Sequence, residues 1–327
     1  MAHQITIREN GMAEMAYTGA TPWHQLGHRI DHDADLATWA VAAGLDWTLK
    51  SAPVQFINGQ LRDYADFKVL YRSDSNAPLS VVGNNYKEVQ PEKVLEFFRD
   101  LIDAGGYRME TAGSLRGGRR IWGLANTHLE SQIVPNDNVK QYLLLATSCD
   151  GTLATTAQFT SVRVVCNNTL SMSLAVSEKD VEEKRAVKVR HSSVFSPDLV
   201  KSELEIAAGT FNQFVARMKR LAEIRVDRQQ ADQTIAALLT ERRSETTQRA
   251  VRETHGYQTI MGLFEGNGKG ANLEGVCGTA WGLLNAVTEY ADFHSRSRNG
   301  DARLNSAWFG AGAALKHRAE DLIEQVA

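Results

Sequence analysis

The sequence predicts an α+β fold: a β-rich N-terminal and central platform with one packed helix, then a mostly helical C-terminal part. Three observations carry this. Asn58-Gly59 and Asp150-Gly151 are tight-turn dipeptides flanked by strand-forming residues. Pro91–Ala104 is an amphipathic helix set between those strands. From Ser196 onward the apolar spacing turns helical. The expected division is an α+β domain over residues 1–195, carrying a basic β platform, and a helical region over 196–327.

Thr21-Pro22-Trp23-His24 reads as a turn, because proline presets its own backbone and restricts the residue before it. Asp35–Gly44 reads as a short helix with an aspartate start and a glycine stop. PVQFI and YADFKVLY flank Asn58-Gly59 as a hairpin, and LSVVG follows as a third strand. In the Pro91–Ala104 helix, Val94, Leu95, Phe98, Leu101 and Ile102 form one stripe, and Gly105-Gly106 stops it. YLLLATS and the Thr/Val-rich TTAQFTSVRVVC read as strands either side of Asp150-Gly151. KRAVKVRH, at Lys184–His191, alternates valines with basic residues, as a half-buried strand does.

Ser196-Pro197-Asp198 is a helix start with proline at its first position. Helices are expected over about Asp198–Leu221, Asp227–Arg243, Thr246–Gly256, Thr279–His294 and Ala307–Val326. The glycine-rich stretch Gly262–Gly278 is expected to wrap over the surface.

Apolar residues make up 43% and charged residues 23% of the 327, and mean hydropathy is −0.32. These values fit a soluble globular chain and exclude fibrous and membrane-embedded classes. Thirty-six basic residues against 39 acidic ones give a net charge of −3, so bulk charge names no polyanionic partner. Cys149, Cys166 and Cys277 are odd in number and far apart, which fits neither a disulfide framework nor a zinc site. No apolar run approaches a membrane span and the N-terminus lacks a secretory signal pattern. A cytoplasmic location and no membrane partner are therefore expected.

Six ordered strings stand together: TPWHQLG at Thr21–Gly27, GNNYKEVQ at Gly83–Gln90, AGSLRGGRRIWGLA at Ala112–Ala125, SCDGTLATTAQFTSVRVVCNNTL at Ser148–Leu170, GTAWGLLNAVTEYAD at Gly278–Asp292 and FGAGAALKHRAEDLI at Phe309–Ile323. The series resembles the phage/plasmid-like protein family, domain of unknown function 932, across nearly the whole chain. The resemblance implies mobile-DNA biology. It supplies no reaction and no catalytic residues.

The residues themselves offer one basic constellation. Arg116, Arg119 and Arg120 surround Gly117-Gly118 beside Trp122. Glycine lets backbone amides approach a phosphate, and guanidiniums add charge and paired hydrogen bonds. Arg163, Lys184, Arg185, Lys188, Arg190 and Lys269 join the expected cationic groove, with Tyr86, Trp122 and Phe159 as stacking partners. A solvated turn and strand face is the plainer reading of the same charges.

Other clusters carry less. Arg163-Val164-Val165-Cys166-Asn167-Asn168 reads as a strand ending in a turn, and Cys166 is not expected to be a nucleophile. His24, His28 and His32 are spaced by four, but Pro22 and Gly27 break the helix that would align them on a metal. Gly262–Asn272 lacks the glycine spacing and the Ser/Thr of a phosphate-binding loop. Asn285, Glu289 and Asp292 share a helical face on which two carboxylates can hold a divalent ion or make helix-to-helix bonds. Arg217, Arg220 and Arg228 suit a solvated helix face or a contact between subunits.

The expectation is a non-enzymatic single-stranded DNA-binding protein of a mobile element, acting in annealing or recombination as a homo-oligomer. No catalytic residue, metal or other cofactor is expected. The alternatives are a metal-dependent nuclease built on Glu289 and Asp292, and an interaction protein that blocks host defence without binding DNA.

Overall fold

The computed structural model describes residues 5–8, 11–19, 26–163, 165, 168–171, 187–189, 210–240, 248–296 and 306–326. The turn at Thr21–His24, the helix start at Ser196 and the division at 195/196 lie outside the described residues.

The fold is α+β. The N-terminal part holds β1 (Met15–Tyr17), β2 (His28–Arg29), α1 (Leu36–Ala42), β3 (Leu49–Asn58), β4 (Gln60–Arg72), β5 (Pro78–Gly83) and α2 (Pro91–Gly105). The central strands are β6 (Arg108–Leu115), β7 (Arg120–Val134), β8 (Asp137–Ser148), β9 (Thr155–Arg163), β10 (Asn168–Ser171) and β11 (Val187–Val189). The helical part comprises α3 (Thr210–Glu223), α4 (Arg228–Thr240), α5 (Gln248–Arg252), α6 (His255–Gly262), α7 (Ala280–Glu289) and α8 (Ala311–Val326).

The larger sheet runs β10-β9-β8-β7-β6-β1-β2, with β11 also paired to β9. The pairings between β6 and β9 are antiparallel, so alternate residues fall on opposite faces. One face carries Ile121, Ala125, Leu143, Leu145, Ala157 and Phe159, and joins α2 and the C-terminal helices in a single apolar core. Gly123 lies on this face because Phe98 of α2 comes so close: a Cβ there would stand 3.1 Å from the ring. The other face carries Leu115, Trp122 and Ala146, with Trp308 and Phe309 packed on them.

The smaller sheet is the meander β3-β4-β5. β5 ends opposite Phe67 while β3 and β4 run on together beyond a register shift at Pro53/Val54, so the tip around Gly59 is a two-stranded ribbon.

Several boundaries differ from expectation. The short strands β1 and β2 carry no alternating pattern that would mark them. The helix expected over Thr246–Gly256 breaks, because the Thr254 side chain caps the new helix α6 by accepting from the Tyr257 amide. The helix expected to run to His294 gives way after Glu289 to a wider π-helical turn, Tyr290–His294. The glycine-rich stretch does not simply wrap the surface: it opens with a π-helical turn over Leu263–Asn267, and Phe264, Ala271 and Val276 are buried.

Candidate nucleic-acid interface

The turn between β6 and β7 holds Arg116, Gly117, Gly118 and Arg119. Arg116 is exposed and adopts a left-handed backbone, φ 57°. Arg119 is half-buried. The turn is braced from beneath: Arg72 Nη1 donates to the Gly117 carbonyl at 3.2 Å. Arg72 also grips Glu14 through Nη2 at 2.7 Å and Nη1 at 3.1 Å, and lies 4.6 Å from the Trp47 ring centroid. Glu14 further accepts from the Ser114 hydroxyl and from Arg8. Burial opposes the charge on Arg72, yet its bonds to Asp74 and Glu14 hold its pKa above the ordinary arginine value.

Arg120 begins β7 and is only 9% exposed, with its guanidinium 5.7 Å from the Phe309 ring centroid. Burial and the nearby Arg116 lower its pKa from the ordinary value. Trp122 is 3% exposed and packs edge-on against Trp308 at 5.1 Å. Phe159 is likewise buried, edge-on to Tyr107 at 6.2 Å. The expectation that Trp122 and Phe159 offer stacking faces is therefore corrected: both rings fill the packing on either face of the sheet.

The β8–β9 turn lies beside the arginine turn, and the Cys149 amide donates to the Arg119 carbonyl at 2.9 Å. Asp150 closes this second turn by accepting from the Thr152 amide and hydroxyl at 3.0 and 2.6 Å. Tyr86, half-buried, lies against Gly151. Burial, with Cys149 and Asp150 nearby, pushes its phenol up to about 12. Lys87 beside it is exposed. Three of the six ordered strings thus meet at one end of the sheet, and a fourth, through Phe309, reaches Arg120.

Strand β11 reaches the same end. Trp122 lies opposite Ala146, Ala146 opposite Thr156, and Thr156 opposite Lys188, one cross-strand row. Three strand spacings put the Lys188 backbone about 14 Å from that of Trp122. Lys184, Arg185 and Arg190 lie outside the described residues.

Arg163 and Lys269 belong elsewhere. Arg163 is eight residues along β9 from Thr155, about 26 Å at the usual rise per residue. It is fully buried, bonded to both carboxylate oxygens of Asp137 at 2.6 and 2.8 Å and to the carbonyls of Lys269 and Gly270 at 3.0 and 3.3 Å. Asp137 also accepts from the Trp281 indole at 2.8 Å. Placing Arg163 in an open groove is therefore corrected: it fastens the glycine-rich stretch and α7 to the sheet. Lys269 is exposed at that far end, its ammonium 5.5 Å from the Phe293 ring centroid.

The carboxylate pair of Glu289, at the end of α7, and Asp292, in the π-helical turn after it, is already engaged. Glu289 accepts from the Lys269 amide at 3.0 Å, and Asp292 accepts from Lys316 at 2.8 Å, with Asp292 and Lys316 both buried. Asn285 donates to the Trp281 carbonyl at 2.8 Å. Among the described residues no group of three or more His, Cys, Asp or Glu side chains is placed to hold a metal ion. His28 sits on a strand and His32 in the segment before α1, while His24 lies outside the described residues. Arg217 binds Glu320 at 3.2 Å and also Glu324, so it ties α3 to α8.

Lys87 and Phe309 were missed as neighbours of the arginine turn. Both lie in the ordered strings GNNYKEVQ and FGAGAALKHRAEDLI, and only the tertiary fold brings those strings together.

The chain is thus an α+β sheet-and-helix protein whose sheet ends in a braced, arginine-bearing turn. It belongs to the family described as "Domain of unknown function (DUF932)", which it matches over residues 78–308, more than half of its length. No curated protein and no solved structure matches it. No helix among the described residues is long and apolar enough to cross a membrane.

Proposed function

We propose that the protein binds single-stranded DNA across the turn end of its larger sheet, as a cytoplasmic, non-enzymatic DNA-handling factor of a mobile element that serves annealing or recombination. One observation carries the reading. Strand register sets Lys188 in the row of Trp122, two residues from Arg120, so basic positions distant in sequence share one sheet end. Arg116 and Lys87 are exposed there and Arg119 is half-exposed. Backbone binding needs local positive charge and tolerates a negative total. The resemblance to proteins of phages and plasmids supports the same reading.

The test is a titration of labelled single-stranded oligonucleotide at several salt concentrations. Arg116→Ala with Arg119→Ala weakens binding. It also flattens the dependence of log affinity on log salt by about 0.7 for each phosphate contact removed. Lys269→Ala, at the far end of the sheet, leaves both unchanged. Equal affinity and slope in the double variant and the parent overturn the reading.

A further inference from the structure

A cavity of about 470 Å³ opens among the C-terminal helices. Small-molecule sites occupy roughly 300–1,000 Å³. Part of its wall is apolar: Leu239 near the end of α4, Val251 of α5 and Leu315 of α8. Tyr290 and Ala291 enter from the π-helical turn that follows α7. Single π-helical turns are rare and recur at functional sites.

The rest of the wall is polar and biased toward positive charge. Among the described lining residues there is no aspartate or glutamate, and Arg296 carries the one permanent charge. Arg296 is exposed, and among the described residues no carboxylate pairs with it. The Tyr290 hydroxyl stands over Gly256, where a Cβ would come within 2.8 Å of it. The Ser306 hydroxyl accepts from the Gly312 amide at 3.0 Å, which leaves its O–H to donate. His255, exposed, has a 3.5 Å approach to Thr259 through one ring nitrogen and keeps the other clear.

We propose that this cavity binds a nucleoside monophosphate. Its phosphate is held by Arg296, His255 and the Tyr290 and Ser306 hydroxyls, and its base lies along Leu239, Val251 and Leu315. Charge selects an anion, because a cation would meet Arg296 with no carboxylate in the wall to offset it. Four donor side chains, one of them a two-pronged guanidinium, suit the several oxygens of a phosphate better than the two of a carboxylate. Volume and the apolar wall select an organic body over a bare ion. None of the lining residues belongs to the arginine turn, so the inference does not rest on DNA binding.

Isothermal titration calorimetry of the full chain tests it, with the common nucleoside monophosphates, their parent nucleosides and inorganic phosphate as titrants. At least one monophosphate binds more tightly, by roughly tenfold or more, than its nucleoside or inorganic phosphate. Arg296→Met weakens that monophosphate by roughly tenfold or more and leaves the nucleoside unchanged, and its thermal melt matches the parent because the side chain is exposed. Gly256→Ala displaces the Tyr290 hydroxyl without a left-handed backbone to strain, and weakens the monophosphate as well. A parent chain that binds no monophosphate, or binds none better than nucleoside and inorganic phosphate, overturns the proposal. So does an Arg296→Met chain that binds as the parent does. A monophosphate displaced by single-stranded oligonucleotide lacking a terminal phosphate occupies the arginine turn instead, which overturns it equally.

Discussion

Arg163 and Asp137 form a two-pronged ion pair in the core, with Nε–Oδ1 at 2.6 Å and Nη2–Oδ2 at 2.8 Å. Both side chains are essentially inaccessible, and the Trp281 indole shares the carboxylate. A buried pair of this kind gives little net stability over an apolar replacement, but removing one member strands the other. Asp137→Ala therefore costs about 3–5 kcal/mol in urea unfolding. Arg163→Met combined with Asp137→Leu costs less than the two single changes added together. A loss under about 1 kcal/mol for Asp137→Ala would show that the glycine-rich stretch and α7 are held to the sheet by something else.

The two glycines of the arginine turn separate backbone strain from crowding. Gly117 has φ 70° and a Cβ there meets nothing within 4 Å. Gly118 has φ 95°, and a Cβ would stand 2.8 Å from the Trp47 ring and 3.0 Å from Arg72 Nη1. Gly117→Ala thus costs about 1 kcal/mol for its backbone alone. Gly118→Ala costs more, because Trp47 and Arg72 must shift together and loosen the brace under Arg116. The check is thermal unfolding of both variants beside the single-strand titration. Equal stability and affinity for the pair would show that the brace does not position the turn.

The fold was legible where local chemistry settles it. Asn58-Gly59 marked the β3–β4 hairpin, and the stripe from Val94 to Ile102 marked α2, because turn dipeptides and helical spacing act within a few residues. β1 and β2 were not legible, since strands of three and two residues owe their place to distant partners, β1 to β6 and β2 to β1. The basic set was half legible. Arg116 and Arg119 stand where their glycine neighbours suggested, but charge alone does not reveal burial. Arg163 looked like any strand arginine, and its partner Asp137 lies 26 residues away in sequence. The exposure of Ile57 and Leu61 was also unread, because alternating strand residues do not show whether a second sheet or helix covers them.

Acid stability reports on the join between α4, α5 and α6. Asp232 accepts from Arg252 Nε at 2.7 Å and from the Tyr257 hydroxyl. The hydrogen bonds from Arg252 and then Tyr257 lower its carboxyl from 3.8 to about 2. A depressed folded-state pKa stabilises the protein above the unfolded value, and that contribution is lost as pH falls through the folded one. The Asp232 contribution is therefore full above about pH 4 and disappears by about pH 2. Asp232→Asn is less stable than the parent at neutral pH, and the gap narrows across that window. A gap that does not change with pH would show that the carboxylate charge contributes nothing there.

Thiol chemistry divides the two cysteines whose surroundings are described. Cys149 is buried beside the arginine turn, while Cys277 is exposed at the end of the glycine-rich stretch. Burial, with Asp150 adding to it, pushes the Cys149 thiol up to about 12. Alkylation proceeds through the thiolate, so at pH 8 the native protein labels at Cys277 long before Cys149. Iodoacetamide treatment followed by peptide mass spectrometry reads the order directly. Cys277→Ser removes the fast site without exposing Cys149, whereas Gly118→Ala, by loosening the turn whose Arg119 carbonyl holds the Cys149 amide, speeds labelling of Cys149. Rapid modification of Cys149 in the unaltered native chain would contradict the closed packing beneath that turn.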